Sequence, residues 1–141
     1  MELETLFSVA GSIATVGWLM LAILPRQSFA QIISSVIAPL LLAVVYLYLI
    51  AMNLSGAEGG FGSLADVATL FQKRELLLAG WIHYLCFDLF IGSWEVRDSQ
   101  KHGIPHFVMI PCLLMTFMLG PIGLLFYFAI RTAKLRSLSV A

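Results

Sequence analysis

Charge is what this chain has least of. Of its 141 residues only 11% are Asp, Glu, Lys or Arg, while 60% are hydrophobic and mean hydropathy is +0.95. A soluble domain averages about 25% charged residues, so a water-facing surface is not what this composition builds. The few charges balance, eight basic against eight acidic, and leave no basic surface for nucleic acid. Cysteine is scarce too. Cys86 and Cys112 both sit in apolar runs without a C-x-x-C pair, which excludes a disulfide framework or a zinc ribbon and leaves two small buried hydrophobes. Gly59-Gly60-Phe61-Gly62 lacks the G-K-[ST] ending of a phosphate loop and the flanking strand of a dinucleotide fingerprint. A basic leader is also missing, since the chain starts Met1-Glu2-Leu3-Glu4. Ser28-Phe29-Ala30 only faintly resembles a cleavage site, and the apolar run before it exceeds a normal signal core, so it is expected to stay as a helix.

What the chain has is long apolar runs. Crossing about 30 Å of hydrocarbon takes about 20 helical residues. Residues 6–24, 32–52, 76–94 and 107–130 meet that length, and only the third contains ionisable groups. They predict an all-α integral membrane bundle of four transmembrane helices, one domain over residues 1–141. Pro39 is expected to kink the second span, and Pro121 to kink the fourth within Gly120-Pro121-Ile122-Gly123, whose glycines permit close helix packing. Between the second and third spans, Ser63-Leu64-Ala65-Asp66 resembles a capping box, and Leu64, Val67, Ala68 and Phe71 follow at helical spacing. Residues 63–74 therefore predict a short amphipathic helix in the membrane interface, as an anchor or as a lid.

An even helix count places both termini on one side with Lys73, Arg74, Arg131, Lys134 and Arg136. Arg26, Arg97 and Lys101 lie on the other. Five cations against three put both termini in the cytoplasm, and in a bacterium the protein in the inner membrane. Ala10, Ala14 and Gly17 give the first helix a small-residue face suited to close packing, so a homodimer is expected.

The third span carries Asp88 and His83 near its midpoint. An aspartate there costs roughly 2.5–3.5 kcal/mol on insertion scales, which makes it a functional position by default. Trp81, Tyr84, Asp88 and Glu95 fall on one helical stripe; His83, Phe87, Phe90 and Trp94 fall on another. Hydrocarbon disfavours the charged form of either group, a neutral carboxylic acid can donate a proton, and a neutral imidazole can accept one. Asp88 and His83 are thus the candidate catalytic acid and base, with Trp81, Tyr84, Phe87 and Trp94 as the substrate-binding rings and no cofactor required. The competing reading is that both polar groups hold the bundle in register through hydrogen bonds of about 0.6 kcal/mol each. His102 and His106 are spaced i, i+4, but Gly103 and Pro105 intervene, so no metal site is expected. Glu95, Arg97 and Asp98 read as loop charges at the membrane edge.

Phe61-Gly62-Ser63-Leu64, Gly80-Trp81-Ile82-His83-Tyr84-Leu85, Phe87-Asp88-Leu89-Phe90 and Gly120-Pro121-Ile122-Gly123-Leu124-Leu125 resemble the abscisic-acid-deficiency-type membrane family. Its plant members are required for neoxanthin synthesis, and this compact chain is similar to the bacterial ones. The resemblance implies a multi-pass membrane protein of carotenoid metabolism. The plant reaction opens an epoxide and forms an allene with no net redox change, which asks for an acid and a base; Asp88 and His83 lie in the matching core. Two functions follow from these expectations. One is a cofactor-free isomerase of a carotenoid-like or isoprenoid lipid; the other is a non-enzymatic lipid-binding or scaffold protein.

Overall fold

The computed structural model describes residues 2–137; Met1 and residues 138–141, the ends of the expected domain, lie outside the described residues. The described chain is all helical, in six segments. They are α1 (Leu3–Ile23), α2 (Ser28–Asn53), α3 (Leu64–Leu70), α4 (Arg74–Lys101), α5 (His106–Leu119) and α6 (Pro121–Leu135). Three of them, α1, α2 and α4, are long and apolar enough to cross a membrane. The outward residues are hydrocarbon-like, with Leu40, Val44 and Leu47 of α2 and Leu114 and Leu125 of α5 and α6 all exposed. Water would not tolerate so continuous an apolar surface; lipid does.

The core is the seam where α4 meets α1 and α2. Leu42, Leu49, Ala79, Ile82 and Leu89 are fully enclosed there. Glycine lets α1 and α4 touch: the Trp18 ring lies on Gly92, and the Leu89 side chain on Gly17. Ala10, Ala14 and Gly17 are consumed by this contact. The face expected to pair with a second copy is therefore occupied inside one chain, and its small residues no longer argue for a dimer. Helix α2 carries a π-helical turn at Ile33–Ile37 immediately before Pro39. A widened turn absorbs the hydrogen bond that proline removes, so the expected kink is a local bulge. Inside that bulge the Ser34 hydroxyl shares its one proton between the carbonyls of Ala30 and, across on α1, Gly17, at 2.9 and 2.8 Å.

The two ends of the bundle are marked by polar ties. At one, Arg74 pairs with Glu4 at 2.6 Å and Lys73 donates to the Asn53 carbonyl. At the other, Gln31 and Gln100 both donate to Pro25, and His106 meets the Ala22 carbonyl at 2.9 Å. Helix α4 thus runs the full depth. It also extends past the expected end at residue 94 to Lys101.

The run expected as a fourth span is not one continuous helix. Gly120 adopts φ +43°, ψ −96° and reverses the chain, and Pro121 opens α6 as a first-turn residue that has no N–H to satisfy. Gly123 then packs on the backbone of Thr116, a contact impossible in a straight helix, where the two would be about 10 Å apart. Tyr127 packs with Met109 and Cys112, Arg131 reaches Asp98, and Lys134 donates to the Gly103 carbonyl. α5 and α6 are the legs of an antiparallel hairpin. Their 14 and 15 residues rise only about 21–22 Å, short of the full ~30 Å core. The Gly120-Pro121 kink is replaced by a full reversal. The C-terminal end of α6 sits beside Lys101, at the end of the bundle opposite Glu4. The start of α1 and the end of α6 thus lie at opposite ends of the described bundle.

Helix α3 matches its expected start: the Ser63 hydroxyl accepts from the Asp66 N–H at 3.1 Å. It closes at Leu70 instead of residue 74, and α4 starts almost at once.

Gly123→Ala should drive a methyl into the α5 backbone and lower stability by about 1–3 kcal/mol through overpacking. Gly11→Ala, where nothing lies within 4 Å, should be neutral or stabilising. Thermal unfolding of both variants in mild detergent checks the pair.

Candidate functional site

A hairpin that reaches only part-way leaves part of α4 uncovered. From Arg74 to Asp88 is 14 residues, about 21 Å, and from Asp88 to Lys101 about 20 Å, so Asp88 lies at the midpoint of the helix. The Gly120 turn meets α4 at that level. A Cβ placed on Gly120 would fall 2.8 and 2.9 Å from the two carboxylate oxygens of Asp88. Only glycine accepts both the positive φ and this contact.

Below the turn, α4 faces outward along Leu77 and Trp81, both exposed. A pocket of about 200 Å³ opens there, walled by Leu3 and Phe7 of α1 and by Leu77, Leu78 and Trp81, with the Glu4–Arg74 pair at its mouth. Trp81 stacks between Phe7 (centroids 6.0 Å) and Tyr84 (5.3 Å). Tyr84 neighbours Asp88, yet its single proton goes to the Phe117 carbonyl at 2.9 Å. Asp88 Oδ2 is buried with no hydrogen-bond partner among the described residues. An acceptor left unmade in this way costs about 1–3 kcal/mol. The cleft between α1 and α4 is lined by Phe7 and Trp81, and Tyr84 and Asp88 follow one and two turns further along the same stripe of α4.

The stripe of Trp81, Tyr84, Asp88 and Glu95 is brought together on this side of α4, but its last member does different work. Glu95 is fully buried under the hairpin, with the Thr116 hydroxyl 3.1 and 3.0 Å from its two oxygens. One turn on, Asp98 is gripped by Arg131 through Nε at 2.7 Å and Nη2 at 3.4 Å, by the Tyr127 hydroxyl, and by His102 Nδ1 at 3.3 Å. Glu95 and Asp98 are thus not loop charges: they hold the hairpin from inside. Arg97 continues the same helix. A residual signal for this existed in the sequence. Tyr127 and Arg131 are spaced i, i+4, a polar pair on one face of an apolar run, as Thr116 is in the preceding leg.

The second stripe does not join the first. His83 faces α2, with its ring 5.7 Å from Tyr46 and 4.7 Å from Phe87. Asp88 and His83 therefore open onto different faces, about 140° apart on the helix. Of the four expected ring residues, Trp81 lines the pocket beside α1, Tyr84 lies against Trp81 and donates to the Phe117 carbonyl, Phe87 accompanies His83, and Trp94 packs on Tyr127 and Phe128 in the hairpin. His102 and His106 serve different partners, Asp98 and Ala22. Among the described residues no group of three or more His, Cys, Asp or Glu is placed to hold a metal.

Three helices long and apolar enough to cross a membrane, with an apolar outer surface, are the marks of a membrane protein. A family model described as ABA DEFICIENT 4-like matches residues 5–127, and the chain belongs to this family. No curated protein and no solved structure matches the chain.

The Asp98–Arg131 pair makes a double-mutant prediction. Arg131→Met leaves a carboxylate stranded under the hairpin and should lower the unfolding midpoint sharply. Adding Asp98→Asn should recover part of that loss, because the stranded charge is gone. Two losses that simply add would show that the pair does not hold the hairpin.

Proposed function

We propose that this protein is an intramembrane acid–base isomerase of a carotenoid-like or isoprenoid lipid, with Asp88 as its catalytic group. The observation that carries this reading is the buried, unpartnered Asp88 oxygen at mid-depth of α4, on the same helical stripe as Trp81, which lines the pocket between α1 and α4. A neutral Asp88 would give its proton to an oxygen or an alkene carbon of the substrate. The carboxylate formed would then take a proton from a neighbouring carbon, so a single group suffices and nothing is oxidised or reduced. The rings of Phe7, Trp81 and Tyr84 would hold a flat polyene or ring. His83 is not the base for this cleft, since it faces α2. Membership of the family fits a substrate of this class, whose plant chemistry is itself an isomerisation.

Expressed in a host that accumulates epoxidised and hydroxylated carotenoids, the chain should yield a new isomer on pigment chromatography. Asp88→Asn should lower that product at least a hundredfold while the protein still accumulates in membranes. A product undiminished in the variant would remove Asp88 from the chemistry. Stable protein with co-purifying pigment but no new isomer would favour the alternative, a lipid-binding scaffold.

The reversal at Gly120 also changes the orientation we propose. Arg26, Arg97, Lys101, Arg131, Lys134 and Arg136 now share one end of the bundle, and Lys73 and Arg74 the other. The cation-rich end belongs in the cytoplasm, which puts the amino-terminal end of α1 and the α3 loop outside. In a chain with Cys86 and Cys112 replaced by Ala, a cysteine at Ala57 should be labelled by an impermeant maleimide from outside, and a reporter fused after Ala141 should be active in the cytoplasm. Both sites reporting one compartment would contradict the hairpin.

A further inference from the structure

We infer a second lipid site, separate from the Asp88 cleft, that takes a neutral lipid bearing a single hydroxyl or carbonyl oxygen. On the opposite face of α4, a pocket of about 260 Å³ lies between α2, α3 and α4. It is lined by Tyr46 and Ile50 of α2, by Phe61 and Phe71, and by Gly80 and the exposed His83 of α4. Phe71 forms a fitted roof: a Cβ on Gly80 would lie 3.1–3.2 Å from its ring, so glycine is what lets the ring settle over α4. Gly59, at φ +89°, and Gly60, which donates to the Asp66 carbonyl at 3.2 Å, tie the preceding loop onto α3. The α3 segment, through Leu70 and Phe71, thus walls a cavity.

The two polar groups of this pocket are idle. His83 stands about 13 Å along α4 from Arg74, well inside the apolar depth. It and Tyr46 touch through their rings, yet neither makes a hydrogen bond among the described residues. An imidazole and a phenol together offer both donor and acceptor to one oxygen. A mostly apolar pocket with a few convergent polar groups is the usual form of a small-molecule site. No Lys, Arg, Asp or Glu lines it, so a phosphate or a fatty-acid carboxylate would enter uncompensated. The occupant is therefore a neutral lipid whose polar end points inward to His83 and whose apolar body lies under Phe71 and Phe61. An ordinary phospholipid has the reverse polarity with depth.

The test uses the full chain in phosphatidylcholine nanodiscs with two diazirine probes of one skeleton, a farnesol analogue and its deoxygenated hydrocarbon counterpart. The alcohol should label residues within 46–54 and 61–71, read by mass spectrometry of the digest. His83→Phe, which keeps a ring against Phe87, should lower that labelling about tenfold, the worth of one lost hydrogen bond to affinity. Tyr46→Phe, which deletes one oxygen, should lower it severalfold, and labelling by the hydrocarbon should change in neither variant. Asp88→Asn should leave the labelling intact, so this site and the proposed isomerase stand or fall separately. Equal labelling by the two probes, labelling confined to other segments, or indifference to both ring substitutions would overturn the assignment.

Discussion

The reversal at Gly120 is the constraint on which the rest depends. One residue at positive φ, followed by proline and then by Gly123 pressed on Thr116, turns an apolar run of spanning length into two short legs. Everything functional follows from where those legs stop. Their tip sits against Asp88 and seals one side of the carboxyl, while the pocket lined by Phe7 and Trp81 lies further along α4, towards Arg74. A continuous fourth helix would have covered that pocket along its whole depth.

A short hairpin needs an anchor, and the seam with α4 provides it. Glu95, Asp98, Thr116, Tyr127 and Arg131 are all buried between α4 and the two legs. Buried ion pairs contribute little net stability when compared with apolar packing, but they penalise a wrong register heavily, because a displaced Asp98 or Arg131 would be a bare charge in hydrocarbon. We read the seam as a register device. It sets the hairpin height, and hairpin height sets the environment of Asp88. On the other face of α4 the bundle has a simpler design, with Phe71 of the α3 segment resting on Gly80 above His83.

Much of this was legible in the sequence, and the failures share one cause. Apolar run length located α1, α2 and α4, and the Ser63 cap located α3, because those signals are local. The family resemblance, drawn from the residues between Phe61 and Leu125, agrees with the matched family. The fourth run was misread because hydropathy counts apolar residues and does not see a chain reversal; Gly120-Pro121 reads equally as a kink or a turn. That error carried others with it. Once α6 was placed on the wrong side, Arg131 had no route to Asp98, and Asp98 and Glu95 had no reason to be buried. The Ala10, Ala14 and Gly17 face was recognised as a packing face, but the choice between a partner chain and α4 is a tertiary fact. At the site, helical phase put Trp81, Tyr84 and Asp88 on one stripe and His83 on another, and the stripes hold. What phase could not supply was which helix faces each stripe: α1 borders the Trp81 pocket and α2 the His83 pocket, on opposite faces of α4.

The central claim is that residues 106–135 form a hairpin within the membrane. The most direct measurement is a pulsed electron–electron distance between spin labels at Lys101 and Ala133, both exposed, in the reconstituted protein. With α6 folded back beside α4, the distribution should centre at roughly 20 Å or less, since Lys134 lies against Gly103. A straight fourth helix would carry residue 133 about 40 Å from the start of α5, and a distribution centred there would contradict the account.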